Sequence, residues 1–181
     1  MELGETNLNC QIPSMRNLAE GGAPCPPASS LRKTKLFIRR NMSPKIERSL
    51  KNFTNDLLNW LFSLLGKPAK PAAPPVHSAS VPLKPGDLVR VRSRAEIEST
   101  LNNWRQLKGC AFMPEMAPYC DTTQRVWKRM ERFVDERDLR VKRSKGIILL
   151  EGVLCQGTAE FGSCDRSCFV FWREEWLEKI Q

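Results

Sequence analysis

The sequence predicts a mainly β domain of the α+β class, built as a small compact barrel with short helices and preceded by a tethered amphipathic helix. Valine and arginine alternate over 89–92, which is typical of a half-buried strand. The apolar run over 146–155 requires a second strand as a pairing partner. Over 44–65 the apolar residues recur at helical spacing instead, so this segment precedes the β domain as a separate element.

Composition restricts the classes of function. The chain has 181 residues, which is room for one ordinary domain with tails, and a formal net charge of +9, which favours an anionic partner. Its seven cysteines, an odd number without a leading apolar segment, indicate a reducing compartment, and we expect a cytoplasmic protein, either free or peripheral to a membrane. The single histidine, His77, lies in a proline-rich segment, which excludes a Ser-His-Asp relay and favours a non-catalytic role.

Residues 1–41 are predicted to be a disordered tail, because glycine, proline and serine interrupt any periodicity. An amphipathic helix is predicted over 42–66, with Ser43 as its N-cap and Pro44 in its first turn. A proline-rich linker follows over 67–84 and is expected to be an extended polyproline spacer.

The helix carries one apolar stripe, formed by Ile46, Leu50, Phe53, Leu57, Trp60, Leu61 and Leu64. A basic flank precedes and opens the helix, and the apolar part is too short to cross a bilayer. Three uses of the stripe remain open at this point: packing on its own domain, binding a partner protein, or binding an anionic membrane surface.

The compact domain is predicted over 85–181. After the first strand, Ser93 and Glu96 form a capping box that starts a short helix. Residues 108–120 form a loop with a buried apolar cluster of Phe112, Met113 and Met116. A strand is predicted over 125–136, a basic hairpin tip over 137–145 and an apolar strand over 146–155. A glycine-containing loop and a short closing strand with a last helical turn complete the domain.

Four cysteines of the domain are candidate metal ligands: Cys120, Cys155, Cys164 and Cys168. Four thiolates suit a structural zinc ion or an iron-sulfur cluster. Only the last two are a close pair, separated by three residues, so ordinary buried thiols without a metal remain an alternative.

Several motifs resemble those of an uncharacterised family of small bacterial proteins over about 85–181. They are Gly86-Asp-Leu-Val-Arg-Val-Arg-Ser, Phe112-Met-Pro-Glu-Met, Tyr119-Cys, Leu150-Glu-Gly-Val, Cys155 and Phe171-Trp-Arg-Glu-Glu-Trp-Leu. The resemblance implies a shared site at Cys120, Cys155, Cys164 and Cys168, excludes Cys110 from it, and implies no activity. The first strand also resembles that of a Src-homology-3-like barrel.

The leading hypothesis is a non-catalytic adaptor or binding module, stabilised by zinc and located by its helix. The alternative is an iron-sulfur or thiol-based redox protein, in which Arg166 and Arg173 would raise the thiolate fraction. The third is a nucleic-acid-binding module that uses Trp127 for stacking. Its candidate anion contacts are Arg125, Lys128, Arg129, Arg140, Lys142 and Arg143. Acidic residues between these bases weaken that hypothesis.

Overall fold

The computed structural model describes residues 27, 29–65, 82–159 and 161–180. Most of the predicted tail and of the predicted linker, including His77, lies outside the described residues. The described helices are α1 (Ser30–Asn41), α2 (Pro44–Leu64) and α3 (Arg94–Ser99), with 3-10 turns at Pro114–Tyr119 and Glu174–Trp176. The strands are β1 (Leu88–Val91), β2 (Gln106–Leu107), β3 (Cys110–Ala111), β4 (Thr123–Asp135), β5 (Arg140–Leu150), β6 (Gly157–Thr158), β7 (Gly162–Ser163), β8 (Trp172–Arg173) and β9 (Leu177–Lys179).

Helix α1 lies within the segment that the sequence predicted to be disordered. Its residues from Ser30 to Asn41 contain neither glycine nor proline, so nothing in their chemistry opposes a helix. The prediction of disorder was drawn from the glycine- and proline-rich residues before it and was extended too far along the chain.

The start of α2 is as predicted. Ser43 has an extended backbone and its side chain accepts a hydrogen bond from the Ile46 amide, while Pro44 occupies the first turn. The capping box of α3 is confirmed as well, because the Ser93 and Glu96 side chains each accept from the other residue's backbone amide. Local sequence chemistry therefore determined both helix starts.

Five strands form one antiparallel sheet in the order β8-β5-β4-β1-β9. The prediction of a mainly β, α+β domain is confirmed. The predicted barrel, Src-homology-3-like or other, is not seen, because the sheet has two ends and β8 does not pair with β9. Both end strands are only two or three residues long, which is too little to wrap the sheet around on itself.

A long β4–β5 hairpin dominates the sheet. Its register runs from Val126 opposite Leu150 to Asp135 opposite Arg140, so the turn occupies only residues 136–139. The predicted tip over 137–145 was too long, because its residues 140–143 pair with β4, although three of these four residues are basic. Strands β1 and β8 pair only with the half of the hairpin that contains Leu150, so the half that contains the tip is a two-stranded ribbon.

The core lies under the inner half of this hairpin. It is built from aliphatic side chains of the sheet together with Phe112, Met116, Trp172 and Trp176. Leu83 also belongs to it, two residues before the predicted start of the domain. The loop cluster of Phe112 and Met116 is buried as predicted, and Met113 packs against it partly exposed.

A buried ion pair fixes β8 against β5. The guanidinium of Arg173 donates to both carboxylate oxygens of Glu175, at 2.9 and 2.7 Å, and to the carbonyl of Lys145 at 2.8 Å. Gly146 lies directly beneath it, since a Cβ at that position would lie 3.0 Å from Arg173 Nη2. Lys108 donates to the same Glu175 carboxylate from the surface, at 2.6 Å.

Candidate functional site

Helix α2 is attached to the domain through polar side chains. Asn103 donates from its backbone amide and its side chain to Asn55 Oδ1, at 3.3 and 3.1 Å, and from its side chain to Asn59 Oδ1 at 3.1 Å. The indole of Trp104 donates to the carbonyl of Lys51 at 3.1 Å. The middle of the helix is therefore held by the loop before β2.

A second attachment holds the start of α2 against the tip of the β4–β5 ribbon. Arg137 donates to the Glu47 carboxylate at 2.7 Å and to the Met42 carbonyl at 2.9 Å. Lys51 pairs with the same Glu47 at 2.9 Å, one turn along the helix. Two attachments at separate points set the direction of the helix relative to the domain.

The apolar stripe of α2 faces away from the domain. Its seven residues are each between 39% and 65% exposed, and no residue of the helix is fully buried. Other residues of the helix are half-buried and face the domain. Several of them follow a stripe residue by one position, for example Glu47, Lys51 and Leu58. One position is about 100° around a helix, so the attachment uses a different face from the stripe.

This arrangement excludes one of the three uses that the sequence left open. Among the residues that the structure describes, the stripe does not pack on the domain, so partner binding and membrane binding remain. None of the described helices is long and apolar enough to cross a membrane. A membrane would therefore meet α2 along its side.

Three of the four candidate metal ligands lie near one another along the backbone. The Cys155 amide donates to the Cys168 carbonyl at 2.7 Å, and the Cys164 amide donates to the carbonyl of Gln156 at 3.2 Å. Cys155 Sγ also accepts a hydrogen bond from the Gly157 amide at 3.4 Å. Cys164 and Cys168 are exposed and lie beside Arg166, whose pKa is raised chiefly by Glu136 and further by the two thiols.

Cys120 has a different environment. Its thiol contacts the carbonyl of Met116 at 4.0 Å, and its pKa is raised by burial and by Asp121. In the part of the chain that the structure describes, no group of three or more cysteine, histidine or acidic side chains is arranged to hold a metal. The zinc or iron-sulfur site stays a prediction from the sequence.

Cys110, which the resemblance excluded from the site, is packed against the core. Its thiol donates to the Phe171 carbonyl at 3.4 Å, and burial raises its pKa to about 11. A thiol with that pKa is almost fully protonated at neutral pH and reacts slowly.

The candidate anion contacts divide into two groups. Arg125 pairs with Glu151 at 3.7 Å, Arg129 with Glu174 at 2.7 Å, and Lys142 with Asp135 and Asp138. Within the described ranges, the other three form no ion pair; they are Lys128, Arg140 and Arg143. Half of the predicted set is thus free to meet an external anion.

The residues that attach the helix were not found from the sequence. Asn55, Asn59 and Asn103 give no periodic apolar signal, and Trp104 stands alone in a polar loop. The only available signal was that two asparagines four residues apart lie on one face of the predicted helix.

Comparison of the chain with protein-family models, with curated proteins and with solved structures finds no match in any of the three. The resemblance of residues 85–181 to a family of small bacterial proteins therefore stays a prediction, and the function has to be argued from the surfaces described above.

Proposed function

We propose that this protein is a non-catalytic adaptor that docks on an anionic membrane surface through the apolar stripe of α2. The observation that carries the proposal is the orientation of the helix. Its polar contacts to Asn103, Trp104 and Arg137 hold it on the domain while its stripe stays uncovered. Contiguous exposed apolar surface of this kind marks a binding site for a protein or a membrane.

The charge around the helix favours a membrane over a partner protein. Eight basic residues but only two acidic ones, Glu47 and Asp56, occur between Ser30 and Leu65. Such a segment is attracted to anionic lipid, by about 1 kcal/mol for each basic residue near the surface. The stripe includes Phe53 and Trp60, both more than half exposed, and aromatic side chains favour the boundary between headgroups and acyl chains. We infer a peripheral location, with the domain held above the lipid.

The proposal is tested by sedimentation with vesicles of phosphatidylcholine alone and of phosphatidylcholine with phosphatidylserine. Phe53 and Leu64 are each 65% exposed. Burying the rest of each side chain in the membrane would contribute about 1–2 kcal/mol of binding free energy at each position. The double variant Phe53→Glu with Leu64→Glu should weaken binding to anionic vesicles by about 30-fold or more.

A matched variant, Asn52→Glu with Ser63→Glu, changes the net charge equally but alters exposed polar positions outside the stripe. It should retain most of the binding. Equal loss in both variants would show that charge alone matters. A wild-type protein that ignores anionic vesicles would refute membrane docking and leave a partner protein with an apolar groove as the occupant of the stripe. The zinc predicted from the sequence is not required for any step of this proposal.

A further inference from the structure

An adaptor needs a second binding surface, and the outer face of the β4–β5 hairpin has the composition of one. Arg132 lies directly opposite Arg143 in the register of the ribbon, and Val134 lies opposite Val141 on the same face. Like charges directly opposite one another on neighbouring strands destabilise a sheet. Arg132 and Arg143 are both exposed and form no ion pair within the described part of the chain.

The acidic residues of the hairpin do not neutralise this face. Asp135 and Asp138 are held by Lys142, which points to the opposite face because it pairs across from Phe133. Glu136 is held by Arg166. The interleaving of acids and bases in the sequence is therefore separated in space. Glu131, which lines the same groove as Arg132, offsets part of the charge.

A groove of about 410 Å³ continues this face towards the core. Seven residues line it: Trp127, Lys128, Arg129, Met130, Glu131, Arg132 and Leu149. They combine one aromatic ring, three cations, one carboxylate and two apolar side chains, and one of the cations, Arg129, is paired with Glu174. Trp127 is about half exposed and is backed by Phe169, whose ring stacks on it at 4.4 Å between centroids and 9° between planes. Lys128 Nζ lies 5.9 Å from the centroid of the Trp127 ring.

We propose that this face binds single-stranded nucleic acid, with a base stacked at Trp127 and backbone phosphates at Lys128, Arg132 and Arg143. A fixed aromatic ring beside a row of unpaired cations is the arrangement that holds single strands without reading their sequence. A two-stranded β-ribbon that recognises the base sequence of duplex DNA has to insert into the major groove. Here the tip is bonded to α2 through Arg137, which favours the single strand over the duplex.

The proposal is tested on the full chain by fluorescence anisotropy with a labelled oligothymidylate of about 20 nucleotides at several salt concentrations. Arg132→Gln with Arg143→Gln should weaken binding about tenfold or more and reduce the slope of log affinity against log salt by about 1.4. Trp127→Leu should weaken binding about tenfold with little change in that slope.

The matched control is Arg94→Gln with Arg105→Gln, which removes two exposed arginines that both pair with Glu98 beside α3. It should change affinity by no more than about twofold. An equal loss of affinity in the two double arginine variants would overturn the proposal, because binding would then depend on net charge alone. Tighter binding to a duplex of the same length would overturn it too, as would unchanged binding by the Arg132/Arg143 variant. A thermal melt of each variant confirms that it is folded.

Discussion

The ion pair between Arg173 and Glu175 should dominate the acid sensitivity of the domain. Burial alone would raise the pKa of Glu175, but hydrogen bonds from Arg173 and Lys108 outweigh it and lower the pKa from 4.5 to about 2. The two side chains are only 7% and 14% exposed, so solvent screens the interaction weakly. A folded-state pKa below the unfolded one contributes stability that is complete above about pH 4.5 and is lost as the pH falls towards 2.

The magnitude follows from the difference in pKa. About 2.5 pKa units correspond to about 3 kcal/mol of unfolding free energy at pH 7. Glu175→Gln removes this contribution, because the Arg173 guanidinium then stays buried without a counter-charge. We expect the variant to be about 3 kcal/mol less stable at pH 7 and only about 1 kcal/mol less stable at pH 2.5.

The stability of both proteins is measured by urea unfolding at the two pH values, with tryptophan fluorescence as the signal. Trp172 and Trp176 report on unfolding because they lie in the core beside the Arg173–Glu175 ion pair. Glu178→Gln is the control, since Glu178 forms an exposed pair with Arg90 at 2.7 Å and should cost less than about 1 kcal/mol. The reasoning is refuted if Glu175→Gln lowers stability equally at pH 7 and pH 2.5, because the loss would then come from packing and not from charge.

Two further predictions concern the thiols and the limits of the domain. In a maleimide titration at pH 7, Cys164 and Cys168 should react first among the five described cysteines and Cys110 last, as its pKa of about 11 requires. Zinc released in step with Cys164 and Cys168 would establish the predicted metal, and rapid reaction of Cys110 would contradict its packing. A fragment of residues 82–181 should unfold cooperatively by circular dichroism, since the core cluster runs from Leu83 to Leu177. A fragment that begins at Pro85 should be about 2–5 kcal/mol less stable through loss of Leu83, and equal stability of the two fragments would show that Leu83 does not contribute.

Elements with a local signal were predictable from the sequence. Ser43 and Pro44 start α2, Ser93 and Glu96 start α3, and the aromatic and β-branched residues of β4 correctly favoured a strand over a charged helix. Each of these depends on residues that are neighbours in the chain. The stripe of α2 was predictable for the same reason.

Features that depend on distant residues were not predictable. Whether the sheet closes depends on how β8 and β9 meet, and no spacing in the sequence sets that. The face that α2 turns towards the domain is decided by Asn103 and Arg137, which lie 44 and 90 residues from their partners in the helix.

The two short strands that end the sheet also protect it from growing. An open sheet presents unpaired backbone groups along its outer strands, and other chains can add to them edge to edge. Strand β8 offers only two residues, and β9 offers three, of which Glu178 and Lys179 are charged and are held by Arg90 and Asp87. Strand addition by a second copy at these two ends therefore has little backbone to bind. Self-association of this protein at high concentration should instead begin at the uncovered side of α2, and detergent should prevent it.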